Sequence, residues 1–103
     1  MISLTVLYPK TADNHFDMDY YLNTHMPLVK ERLSSIGLIS VDLRAGLAGV
    51  APDSPPAYAM ICNLNFGTIE ELQNAMAAHG PELTGDISNF TNVQPTMQIS
   101  QTT

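Results

Sequence analysis

The spacing of apolar residues limits the possible folds more than any single motif. It switches from a period of two to a period near 3.6 and back, and then does so again. Ile2, Leu4, Val6 and Tyr8 alternate with Ser3, Thr5 and Leu7, which reads as a strand ended by Pro9. Lys10 to Phe16 is a polar loop carrying His15, and a helical stretch runs from Asp17 to Leu33, stopping near Ser34–Ser35 with Gly37 as its C-terminal cap. A second alternating run takes Ile39, Val41, Leu43, Ala45 and Leu47, with Ser40, Asp42 and Arg44 on its other side. Gly49 to Pro56 holds Asp53, Ser54, Pro55 and Pro56, a turn or flexible loop. Tyr58, Met60, Cys62, Leu64 and Phe66 then mark a third strand. Thr68-Ile-Glu-Glu71 is a capping box opening a second helix, with Leu72, Ala75, Met76 and His79 on one face and Gly80-Pro81 expected to close it. Glu82 to Phe90 predicts only a helical turn carrying Asp86 and Phe90. Val93 to Ile99 is the last strand, with Pro95 at an edge or a strand start.

The order is βαβ followed by βαβ, two similar halves joined at residues 48–57. This is the α+β, ferredoxin-like split βαβ arrangement. Right-handed crossovers put both helices on one face of a four-stranded antiparallel sheet. The other face is left bare, and a second copy of the chain is one way to cover it.

The stretch from Asp17 to Leu33 holds the most chemical interest. Asp17 is a suitable N-cap, and Asp19 adds negative charge to the first turn. Leu22, Met26, Val29 and Leu33 recur at helical spacing and are expected to face the core; Tyr21, His25 and Leu28 form a second stripe beside them. Pro27 lacks an N–H and crowds the preceding turn, so the helix is expected to kink or restart there, leaving carbonyls unpaired near Asn23 and Thr24.

With 103 residues the chain is read as one domain, residues 1–103. Ten acids against four bases give a formal net charge of −6, which argues against a nucleic-acid or anionic-membrane surface. No apolar run approaches the ~20 residues of a membrane span, and no signal-peptide pattern opens the sequence. The one cysteine, Cys62, cannot form an internal disulfide, so a cytoplasmic setting is expected. Three scattered histidines without paired-ligand spacing predict no metal, and the absence of Gly-rich phosphate motifs predicts no nucleotide; no cofactor is expected.

His25 is the leading candidate, because imidazole exchanges protons near neutral pH and suits a general acid/base. The competing reading is a histidine that satisfies a backbone carbonyl and holds the kink. Tyr21, one turn away, can donate a hydrogen bond to a substrate oxygen or stand as a core aromatic with a wet tip. Tyr20 points elsewhere and is read as structural. His79 complements the C-terminus of the second helix in its cationic form and is also counted among the ligand-binding residues. Cys62 reads as a small core residue, not a nucleophile.

Asp17-x-x-Tyr-Tyr-Leu-x-x-His-Met-Pro-Leu-Val29 resembles the signature of the EthD family, named for a protein of ethyl tert-butyl ether degradation, within the dimeric α/β-barrel superfamily. The resemblance implies a homodimer formed through the bare sheet face. In the resembling family the region written here Gly-Asp-Ile-Ser-Asn-Phe also carries an acid followed by an aromatic, which implies that Asp86 orients His25 and that Phe90 walls a pocket. That pocket, between sheet and helices, is expected to be lined by Tyr8, Tyr21, Leu22, Tyr58, Met60 and Phe90. It would take a small, mostly apolar organic molecule. The implied activity is that of a cofactor-independent isomerase, cyclase, decarboxylase or oxygenase-type enzyme of ether, aromatic or polyketide metabolism. The alternative is a non-catalytic carrier that delivers a hydrophobic metabolite to an oxygenase.

Overall fold

The computed structural model describes all 103 residues. Its four strands are β1 (Ile2–Pro9), β2 (Leu38–Ala45), β3 (Tyr58–Phe66) and β4 (Thr96–Gln101). They form one sheet in the order β2-β3-β1-β4, with every neighbouring pair antiparallel. One helical segment follows β1 and another follows β3, which is the ferredoxin-like α+β arrangement.

The alternation in β1 and β3 separates the two faces of the sheet. Leu4, Val6 and Tyr8 of β1 and Cys62, Leu64 and Phe66 of β3 are buried in one core with Val29 and Leu33 of the first helix and Leu72 and Ala75 of the second. Their neighbours in sequence point the other way and join in a polar ladder. Ser3 donates to Asn65 and Thr5 to Asn63, while the amides of those asparagines donate on to Ser40 and Asp42 of β2. Strand β2 departs from simple alternation. Its register shifts between Leu38 and Ser40, so Leu38 packs on the core and Ile39 is 59% exposed. The strand stops at Ala45, and Leu47, expected inside it, is fully out in solvent.

The first helix restarts at Met26, one residue before Pro27, after a widened turn. It starts as α at Met18–Tyr20, widens into a π turn at Tyr21–His25 and resumes as α at Met26–Leu33. The Met26 N–H reaches back five residues to the Tyr21 carbonyl, and Pro27 falls in the first turn of the resumed α segment, where its missing N–H costs least. The extra residue in the π turn rotates everything before it by one position. The buried stripe therefore runs from Met26 back to Tyr21, and Leu22 is turned out, 45% exposed. As expected, Gly37 caps the end with a left-handed φ of 102°.

The second helix, Ile69–Gly85, opens on the Thr68 capping box but runs past Pro81. The carbonyl deprived of a donor there belongs to Ala77, an exposed residue, so water can satisfy it. The Thr84 hydroxyl donates to the Gly80 carbonyl at 2.7 Å, and burial of Leu83 keeps the apolar face continuous beyond the proline. A 3₁₀ turn, Ile87–Asn89, follows between Asp86 and Phe90. The last strand begins after Pro95, three residues later than the alternation implied.

Candidate active site

The site forms where the segment 86–91 docks on the start of the first helix. Asp17 caps that helix by accepting from the Tyr20 N–H, and its own N–H donates to the Phe90 carbonyl at 2.7 Å. Phe16 and Thr91 form an isolated bridge, and the Thr91 hydroxyl donates to the His15 carbonyl. These contacts bring Asp86 to His25 across 61 residues of sequence.

His25 Nδ1 lies 2.9 Å from Asp86 Oδ2. On the other oxygen of Asp86, the Tyr20 hydroxyl donates at 2.7 Å and the Asn89 amide at 2.9 Å. Partial burial pushes the Asp86 carboxyl up, but the hydrogen bonds from Tyr20, Asn89 and His25 outweigh it and leave it below the usual carboxylate range. An ionised carboxylate only accepts, so Nδ1 must be the donor. In the neutral ring Nε2 is then a bare acceptor, and no protein group bonds to it.

The imidazole is held by packing as well. It is 5% exposed, its centroid 4.6 Å from Phe90 and 5.6 Å from Tyr21, against which it stacks nearly parallel. Tyr21 is sealed from solvent and meets Tyr8, Phe16 and Phe90 with ring centroids 5.0–5.9 Å away. Its hydroxyl is buried with no oxygen or nitrogen partner, and only the weakly hydrogen-bonding Cys62 thiol lies beside it. Burial raises the Tyr21 phenol far above its ordinary value, with the neighbouring Cys62 thiol and Tyr8 adding to the effect. That phenol stays protonated. The Cys62 thiol is pushed up to about 11, chiefly by burial, and is no thiolate nucleophile at neutral pH.

His25 and Tyr21 line a cavity of about 50 Å³ between sheet and helices. Its walls are almost wholly apolar: Leu4, Val6 and Tyr8 from β1, Val29 from the first helix, Leu83 from the second. The sequence pointed neither to its outer wall, Ile87 and Met97, nor to the further partners of Asp86, Tyr20 and Asn89. Asn89 stands three residues after Asp86 in the same turn, a spacing legible in the sequence. Tyr20 comes from 66 residues away and left no such signal; contrary to the expectation that it points elsewhere, it donates to Asp86.

Five of the expected ligand-binding residues lie off the cavity. Leu22 is turned out by the π turn. Met60 is 1% exposed but packed inside the core, off the cavity. The register shift between Tyr8 and Pro9 carries Tyr58 to a separate hollow with Arg44 and Ile61. His79 is half-buried on the second helix, its Nδ1 3.9 Å from Glu82 Oε1, and does not reach the cavity. Phe90 backs the imidazole and is not part of the cavity wall.

The chain matches the solved structure of an EthD-like protein from Ralstonia eutropha at 40% identity, with a TM-score of 0.90, over 97% of this chain and 89% of that one. This chain belongs to the EthD family. An ethyl tert-butyl ether degradation family protein from Bacillus halodurans aligns over 100% of this chain and 99% of its own at 21% identity and a TM-score of 0.69. HapK from Hahella chejuensis shares the fold at 13% identity and a TM-score of 0.59, over 98% of this chain and 92% of that one. No protein-family model and no curated protein matches the sequence. In this EthD-family chain no group of three or more His, Cys, Asp or Glu side chains is placed to hold a metal ion, and no helix is long and apolar enough to cross a membrane.

Proposed function

We propose that this EthD-family protein binds a small, mostly apolar organic molecule carrying an oxygen acceptor and moves a proton on it, with no metal or nucleotide taking part. The observation behind this is the pairing of His25 with Asp86 on an apolar cavity that Tyr21 also lines. Nε2 of neutral His25 takes a proton from a carbon next to a substrate carbonyl. The electron pair moves onto the carbonyl oxygen, and the Tyr21 hydroxyl donates a hydrogen bond to that developing oxyanion. Asp86 stabilises the imidazolium that forms. The proton then returns from Nε2 to the same or a conjugated carbon, giving exchange or isomerisation.

Enolisable lactones and hydroxyquinones are the substrates to screen. Turnover that disappears in His25→Ala supports the reading. Binding of the same compounds without turnover in the wild type overturns it in favour of a carrier that delivers an apolar metabolite. We place the protein in the cytoplasm, as a single domain that pairs through the polar sheet face opposite the helices, which no element of the chain covers. A stable interface there would bury on the order of 1,600 Å². Sedimentation at micromolar concentration should give a dimer, and a monomer alone would contradict the pairing.

A further inference from the structure

The inner cavity is too small for a whole metabolite. About 50 Å³ admits a few heavy atoms, whereas sites that enclose organic ligands measure roughly 300–1,000 Å³. It does not end blindly. Thr84, Ile87 and Met97 also line a second, outer hollow of about 250 Å³. The chemistry changes across that mouth. Beyond it stand Ser88, Thr91, Asn92 and Gln94, all hydrogen-bonding side chains. Two are already committed: Thr91 donates to the His15 carbonyl, while Asn92 accepts from the His15 N–H and donates to the Asp13 carbonyl. Gln94 has no hydrogen bond to the protein, and Ser88 has only a 3.4 Å contact to the Gly85 carbonyl. Both side chains are exposed and free to meet a ligand.

We infer that the site has two chambers and takes an amphipathic ligand. A compact apolar head with a carbonyl oxygen sits against Tyr21 and His25, and a polar tail passes between Ile87 and Met97 to be held by Gln94 and Ser88. This rests on the acid/base reading above for the head and adds the tail. A head alone fills the inner chamber but leaves the outer groups to water. The tail therefore sets which carbonyl compounds are retained, and the head sets what is done to them.

Two ketones with the same head test it: heptan-2-one and 7-hydroxyheptan-2-one, titrated by NMR into the wild type, Gln94→Leu and the double variant Gln94→Leu/Ser88→Ala. The hydroxylated ketone should bind wild type about 3–10-fold more tightly, the worth of one net hydrogen bond. The advantage should shrink in Gln94→Leu and vanish in the double variant, while both ketones still shift the His25 and Tyr21 resonances. Equal affinity of the two ketones for wild type, with those resonances shifting, overturns the outer chamber and leaves the acid/base reading standing. So does an advantage that survives the double variant. If neither ketone moves the His25 and Tyr21 signals, the acid/base reading falls and the two-chamber site with it.

Discussion

The two βαβ halves share a plan and differ in their helices. Each helix meets a proline. In the second half Pro81 is absorbed without a change of period, because the orphaned carbonyl is on the wet side and the apolar face runs on to Leu83. In the first half the turn ahead of Pro27 widens to a π turn, and Tyr21 and His25 are turned inward together. The regular helix supplies wall and stability. The irregular one supplies the His25 and Tyr21 side chains to which we assign the proton transfer. The second half reaches this site from the turn after its helix, where Asp86 and Phe90 hold the histidine.

Breaking each half should separate the two roles. The largest effect belongs to His25→Ala, which should remove roughly 10²–10⁴-fold of any proton-transfer rate on an enolisable substrate. It should cost about 1 kcal/mol of stability for the lost hydrogen bond, with a further loss from the packing of the buried ring on Tyr21 and Phe90, while Asp86 keeps Tyr20 and Asn89. Turnover and chemical denaturation on one variant read both quantities. Leu72→Ala, in the regular helix and off the cavity, should do the reverse: about 2–5 kcal/mol of stability lost with the rate per folded molecule unchanged. Tyr21→Phe sharpens the contrast. Removing a buried hydroxyl that has no oxygen or nitrogen partner should raise stability by about 1 kcal/mol while weakening affinity for carbonyl ligands, a combination that a purely structural tyrosine would not give.

The smallest effect is a pH slope. The Asp86 value is depressed in the folded protein, so its contribution to stability is fully present above the ordinary carboxylate range. It is lost as pH falls through the lower folded value. The melting temperature of wild type should therefore fall more steeply below about pH 4 than that of Asp86→Asn. Parallel curves would mean that the hydrogen bonds from Tyr20, Asn89 and His25 do not favour the ionised form.

Most of the fold could be read from periodicity, since β1 and β3 alternate over their whole length and Thr68 and Gly37 are unambiguous caps. Errors arose where one residue was inserted or shifted. The π turn misplaced Leu22, and register shifts misplaced Ile39 and Tyr58, because a period argument carries a one-residue slip all the way along an element. In the candidate site, spacing and residue type put Tyr21 and His25 one turn apart at the edge of the buried face, and the family resemblance supplied most of the weight for singling them out. The link from Asp86 to His25 rested on family resemblance, since a contact across 61 residues leaves no local trace. Tyr20 was missed for the same reason. His79 falls off the cavity because one helix face holds both core and rim positions, and spacing alone does not tell them apart.

The account rests most heavily on the state of His25, and this can be observed without knowing the substrate. Long-range ¹H–¹⁵N correlation on protein labelled at histidine nitrogen reports which ring nitrogen carries the proton. At a pH where the ring is neutral, the predicted result is a single tautomer with the proton on Nδ1 and Nε2 bare, relaxing toward a mixture in Asp86→Asn. A proton on Nε2 in the wild type would contradict it, because the nitrogen left free by Asp86 would then have no lone pair with which to take a proton.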